Sequence, residues 1–191
     1  PVTGAEVISQ FEGYEELAEL DWHGLIERHG NVSRLDRIME AEDDSVNNYQ
    51  ASKQADVLML PYLLSASELE EMLAQLGYNW TTDQLPATID YYLEQTSHGS
   101  TLSTVVHAWV LARSQRADAI GYLDRTLRAD LELAQAGTTS EGIHLAGMAG
   151  AIDVVQRCFG GIEVRAGALW FDPMWPVEFG ALEFTLRYRR H

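Results

Sequence analysis

The stretch SKQADVLMLPYLL, residues 52–64, sets two polar residues, Lys53 and Gln54, directly before a run that leaves no polar face. Ala55, Val57, Leu58, Met59, Leu60, Tyr62, Leu63 and Leu64 predict a helix buried all round, which Pro61 is expected to end or kink. Such a helix needs neighbours on every side, so other helices must enclose it. Two further segments fit the same inner layer. One follows the polar loop TSHGST, residues 96–101, and carries Leu102, Val105, Val106, Trp109, Val110 and Ala112. The other spans about Gly142 to Cys158, where Ala146, Gly147, Ala149, Gly150 and Ala151 permit close backbone approach.

One-sided helices are expected between these. Ser67 with Glu70 has capping-box spacing, and the segment from Glu68 to Leu76 closes on Gly77. Pro86 suits the first turn of a helix with Ile89, Tyr92 and Leu93 on one stripe. Ile120, Leu123, Leu127 and Leu131 make a narrow stripe flanked by Asp124 and Arg128. The first fifty residues are polar and acidic and predict short helices and loops. After Phe159 the period shortens: Ile162 and Val164, Leu169 and Phe171, then Leu182, Phe184, Leu186 and Tyr188 alternate as strands do. The expected fold class is mainly α, with inner and outer helices of an α/α toroid over residues 1–160 and the start of a separate β element over 161–191.

Composition narrows the partners. Thirteen basic against twenty-nine acidic residues give a net charge of −16, which repels nucleic acid and anionic lipid, and the densest basic group is Arg187, Arg189 and Arg190. The most apolar run, Val57 to Leu64, falls far short of the roughly twenty residues that span a bilayer. A single cysteine, Cys158, excludes an internal disulfide and points to the cytoplasm. The chain opens at Pro1 and is expected to be a piece of a longer protein. No zinc-protease, Walker, dinucleotide or nucleophile-elbow motif occurs, so metal and nucleotide chemistry are not expected.

Three loop-to-helix junctions concentrate polar groups: SKQAD at 52–56, TSHGSTLS at 96–103 and GTTSEGIH at 137–144. If their helices are ring neighbours, free N–H groups at the helix starts converge on one mouth and can receive an anion or a sugar oxygen. Lys53 and Gln54 offer a cation and an amide for sugar hydroxyls; the plainer alternative is a pair of solvated first-turn residues. Ser100, Thr101 and Ser103 offer hydroxyls, Gly99 lets a ligand approach, and His98 can donate to an oxyanion; the alternative is ordinary capping by Ser100 or Thr101. In the third junction Thr138, Thr139 and His144 are the candidates, against a neutral core histidine bonded to a carbonyl.

These motifs, in this order and spacing, resemble glycoside hydrolase family 65, which includes maltose, trehalose and kojibiose phosphorylases and some trehalases. FEGY at 11–14 and RLDRI at 34–38 resemble its intervening segment. The resemblance implies a partial (α/α)₆ barrel followed by the first strands of a small C-terminal β domain. It implies that Lys53 and Gln54 hold the glucosyl unit, and that His98, Ser100, Thr101 and His144 cradle phosphate. Inorganic phosphate is then a co-substrate, with no cofactor and no metal. The family's general acid lies in an AspGluTyrHis-type motif absent here, so Glu12, Glu94 and Glu141 are not assigned that role and the isolated chain is expected to be inactive. HisGlySer replaces the Glu that would activate water in the family's hydrolases, which favours phosphate-dependent chemistry: inverting phosphorolysis or phosphate-dependent hydrolysis of an α-linked glucose disaccharide such as trehalose or kojibiose. Expected partners are that disaccharide, phosphate, and either the rest of the catalytic domain or a second copy. A helical sugar- or protein-binding module without catalysis is the rival reading.

Overall fold

Two short helices, α1 (Trp22–His29) and α2 (Leu35–Ala41), open the computed structural model, which describes residues 2, 6–114, 117–131, 142–165 and 167–189. Asp21 starts α1 by accepting the Gly24 N–H at 2.9 Å. Leu25, Leu35, Met39 and Ala51 make a small core of their own.

The decisive run behaves differently from the expectation. Its helix, α3, covers only Met59–Leu63, and the buried residues Ala55, Val57 and Leu58 precede it, the last two in a turn. Pro61 neither ends nor kinks the helix. It sits in the first turn, where its missing N–H removes no helical bond. Leu63, at 63% exposure, shows that this segment is not buried all round.

Helix α4 (Ala66–Gln75) begins two residues earlier than expected, because the capping box is Ser65 with Glu68. The Glu68 N–H donates to Ser65 Oγ at 3.3 Å, and the Ser65 N–H donates to Glu68 Oε2 at 2.8 Å. Gly77 follows at φ 88°, as a helix stop requires. Helix α5 (Leu85–Glu94) has its proline in the first turn and buries Thr88, Ile89 and Tyr92.

Helix α6 (Thr101–Arg113) is the axis of the fold: every position from Ser103 to Ala112 is buried. Helices α3, α7 (Asp118–Arg128) and α8 (Leu145–Asp153) all pack on it. Helix α7 turns inward a face rotated from the expected stripe, keeping Leu123 in the interior and Ile120 packed against the core. Ala119, Leu123 and Thr126 are buried, whereas Leu127 and Leu131 are 48% and 82% exposed. The Thr126 hydroxyl explains the rotation, since it donates within the interior to Thr104 Oγ1 at 2.7 Å.

Helix α8 starts at Leu145, three residues later than expected, and passes into a π-helical turn, Val154–Phe159. Gly147, Gly150 and Ala151 face the core, while Leu145 and Ile152 lie exposed. Strands β1 (Ile162–Arg165) and β2 (Ala168–Phe171) form an antiparallel hairpin in which Ile162 opposes Phe171 and Val164 opposes Leu169. Arg113 ties it to α6, donating to Asp172 Oδ2 at 2.7 Å. The alternating run Leu182 to Tyr188 forms no strand; without a pairing partner, its Leu182, Phe184 and Leu186 remain 39–48% exposed. Among the described residues the chain is therefore mainly helical with one small two-stranded sheet. No helix among the described residues is long and apolar enough to cross a membrane.

Candidate functional site

The first two junctions are joined through their backbones. Ser52 and Thr96 form a parallel bridge, with the Ser52 N–H donating to Gln95 O at 2.7 Å and the Ser97 N–H to Ser52 O at 2.9 Å. The Lys53 carbonyl then accepts twice, from the Gly99 N–H at 3.0 Å and from Ser97 Oγ at 3.4 Å. Gly99 is required at this crossing. A Cβ there would stand 2.3 Å from the Ser33 carbonyl oxygen and 3.4 Å from Lys53 Cγ.

The Lys53 ammonium donates to Asp36 Oδ2 at 2.7 Å, and both side chains are 43% exposed. That hydrogen bond holds the Asp36 carboxyl below the usual carboxylate range. Gln54 is exposed beside it.

In the second junction His98 has φ 53°, a left-handed conformation that is uncommon outside glycine. Its ring points inward: Nδ1 meets Ser103 Oγ at 3.3 Å, and Nε2 meets the Tyr122 hydroxyl at 3.3 Å. His107 lies edge-on to it at 4.4 Å between ring centroids. The His107 Nδ1–H donates to the Ser103 carbonyl at 2.7 Å, so Nε2 is the unprotonated nitrogen of a fully buried ring. Burial pushes His98 down to about 3 and His107 to about 4, with the charge of Arg125 adding to both. Both are neutral near pH 7. Ser100 caps α6, its Oγ accepting the Leu102 N–H at 3.3 Å, and Thr101 is buried.

The third junction meets the second through Gly147. A Cβ on that glycine would lie 3.1 Å from Thr101 Oγ1 and 3.6 Å from the His144 Cβ, so Thr101 and His144 flank the same point. His144 is the N-cap of α8, and Asp130 grips it twice. Asp130 Oδ1 takes the Nδ1–H at 2.7 Å and Oδ2 takes the backbone N–H at 2.9 Å. Thr138, Thr139 and Glu141 lie outside the described residues.

Lys53, Ser100, Thr101 and His144 thus belong to one connected patch, whereas the His98 ring turns from it into the α6–α7 packing. Asp36, His107, Tyr122 and Asp130 support the patch but could not be singled out from sequence. Asp36 is seventeen residues from Lys53 and Asp130 fourteen from His144, and no local motif couples them. A cleft of about 740 Å³, with Tyr62, Trp109, Arg113 and Arg157 in its walls, opens at the opposite end of α6 and includes none of the junction residues. Among the described residues, no group of three His, Cys, Asp or Glu could hold a metal.

Comparison with known proteins gives a consistent relationship. The chain is 62% identical over 185 residues to an uncharacterized glycosyl hydrolase of Mycobacterium tuberculosis strain H37Rv, covering 97% of this chain and 14% of that protein. It is 36% identical to the trehalose 6-phosphate phosphorylase of Lactococcus lactis, covering 96% of this chain and 24% of the relative. It is 29% identical to the kojibiose phosphorylase of Halothermothrix orenii, covering 97% and 22%. The chain therefore spans between a seventh and a quarter of the length of these relatives. A solved structure provisionally assigned as a kojibiose phosphorylase from the human microbiome superposes with a TM-score of 0.64 at 25% identity, over 86% of this chain and 21% of the other. Residues 2–153 match the family model of the glycosyl hydrolase family 65 central catalytic domain and residues 162–191 that of its C-terminal domain, so the chain belongs to glycosyl hydrolase family 65.

Proposed function

We propose that residues 1–160 contribute the later helices of an (α/α)₆ toroid, and residues 161–191 the opening of its β domain, in a cytoplasmic disaccharide phosphorylase. The observation that carries this reading is the meeting of the second and third junctions at Gly147, which sets Thr101 and His144 side by side. Hydroxyl groups, a helix start and an imidazole together make an anion cradle. Ser100, Thr101 and His144 take inorganic phosphate as co-substrate, and His98 braces their loop from within. Lys53 and Gln54, tied to that loop through the Lys53 carbonyl, hold the glucosyl unit.

The substrate is an α-linked glucose disaccharide, with trehalose and kojibiose the first to try because relatives are named for phosphorylases of trehalose 6-phosphate and kojibiose. Phosphate oxygen attacks the anomeric carbon, the glycosidic C–O bond breaks, and a carboxylic acid outside this chain protonates the leaving sugar oxygen, with inversion. No cofactor and no metal enter this scheme. The 191-residue chain alone is inactive, and its exposed Leu63, Leu145 and Ile152 meet the remainder of the catalytic domain or a second copy.

The test is phosphate-dependent release of β-glucose 1-phosphate by the full-length protein. His144→Ala should weaken phosphate use by roughly tenfold or more, the worth of one charge-assisted donor at about 1.5–3 kcal/mol. Turnover independent of phosphate, or untouched by this substitution, would remove the assignment.

A further inference from the structure

We propose that Asp130 is the positioning residue of His144, setting the ring so that only Nε2 can address the co-substrate anion. The proposal rests on the phosphate reading of His144. Asp130 stands just beyond the end of α7 and reaches the start of α8 with both carboxylate oxygens, at 2.7 Å to Nδ1 and 2.9 Å to the backbone nitrogen. Two bonds to one residue fix its backbone and its ring together. An ionised carboxylate accepts only, so Nδ1 must carry the proton. Any contact between the imidazole and an anion therefore passes through Nε2.

The second argument is electrostatic. His144 occupies the N-cap of a nine-residue helix, where the helix dipole opposes a cation. An imidazolium there is disfavoured unless a negative group offsets the dipole. Asp130 supplies that charge in contact with the ring, where side-chain exposures are only 23% for His144 and 14% for Asp130. The hydrogen bond from His144 is also the chief reason the Asp130 carboxyl is held below its ordinary range. With Nδ1 engaged by Asp130, the ring meets a phosphate oxygen at Nε2. A histidine without this partner could present either nitrogen.

The experiment is calorimetric titration of inorganic phosphate into the full-length protein and its Asp130→Asn, Asp130→Glu, His144→Ala and Asp130→Asn/His144→Ala variants, with thermal melting of each. Asp130→Asn is expected to weaken phosphate binding about tenfold or more, Asp130→Glu to restore most of it, and Asp130→Asn to add nothing on top of His144→Ala. Wild-type phosphate affinity in Asp130→Asn, with His144→Ala weakened, overturns this inference and leaves the phosphate reading standing. Wild-type affinity in His144→Ala overturns the phosphate reading itself. An undiminished further loss in the double variant would make Asp130 an independent contributor, and failure of Asp130→Asn to fold would make it a structural residue; either result refutes a positioning role.

Discussion

Replacing Gly150 by alanine measures how tightly α8 is pressed on α6. The added Cβ would lie 2.7 Å and 2.8 Å from the two methyl groups of Val105 and 3.3 Å from its Cβ. Carbon atoms rest about 3.5–4.0 Å apart, so relief needs a movement on the order of 1 Å. Val105 is 2% exposed, and a β-branched side chain in a helix has one strongly preferred rotamer, so the helices must separate instead. Overpacking of this kind costs roughly 1–3 kcal/mol, against about 1 kcal/mol recovered from the better helix propensity of alanine. The net loss is thus about 0–2 kcal/mol, too broad a range for a single variant to decide. Val105→Ala removes the obstructing methyls and costs about 1.6 kcal/mol in lost burial alone. The two substitutions together should be less destabilising than their sum by about 1–2 kcal/mol. Urea unfolding followed by circular dichroism gives all three values. Additivity within about 0.5 kcal/mol, or a Gly150→Ala variant more stable than wild type, would show that the helices do not meet here as closely as described.

Three other outcomes follow from the same packing. His98 and His107 ionise more easily unfolded than folded, so the unfolded state binds more protons at mildly acid pH; stability is full above about pH 6.5 and should fall by up to about 1.4 kcal/mol per pH unit for each ring towards pH 4. An acid titration of the unfolding midpoint reads this slope, and His107→Gln should flatten it; an unchanged slope would locate the acid sensitivity elsewhere. Ser65→Ala should lose about 1 kcal/mol through the broken cap, while Ser67→Ala should change the melting temperature little; the reverse order would restore the other capping frame. Cys158 is buried, with its Sγ 3.5 Å from Trp109 O, and desolvation pushes its thiol up to about 12, so a thiol reagent should label it only on unfolding; rapid labelling of the folded chain would contradict that placement.

The parts of the fold legible in the sequence are those where one physical signal dominates. Helix α6 has apolar residues on every side and is buried on every side, and Ile162 to Phe171 alternate and pair as a hairpin. Misreadings arose where two signals shared one spacing. Ser65–Glu68 and Ser67–Glu70 both have the capping-box interval, and only the extended backbone at Leu64 and Ser65 selects the first. Pro61 can stop a helix or begin one, and nothing local distinguishes these. On α7 Thr126, rather than Leu127, took the buried position beside Leu123 because Thr104 offered it a hydroxyl across the interface. The candidate site shows the same division. Lys53, Ser100, Thr101 and His144 are visible as polar residues at apolar helix starts, but their carboxylate partners Asp36 and Asp130 look like any other acids in a chain of net charge −16.

The bridge between Ser52 and Thr96 makes the first two loops a single plate rather than two independent arms. A ligand that spans such a plate meets groups already held in register, so little conformational freedom remains to be lost when it binds. The plate also couples what lies on its two sides. On the proposed reading, sugar rests beyond Lys53 and phosphate beyond Ser100, and the Lys53 carbonyl that joins them belongs to both. Any displacement of that carbonyl by one ligand changes the fit of the other, and linkage makes the effect mutual. Saturation by disaccharide and by phosphate should then each alter the other's apparent affinity by one common factor.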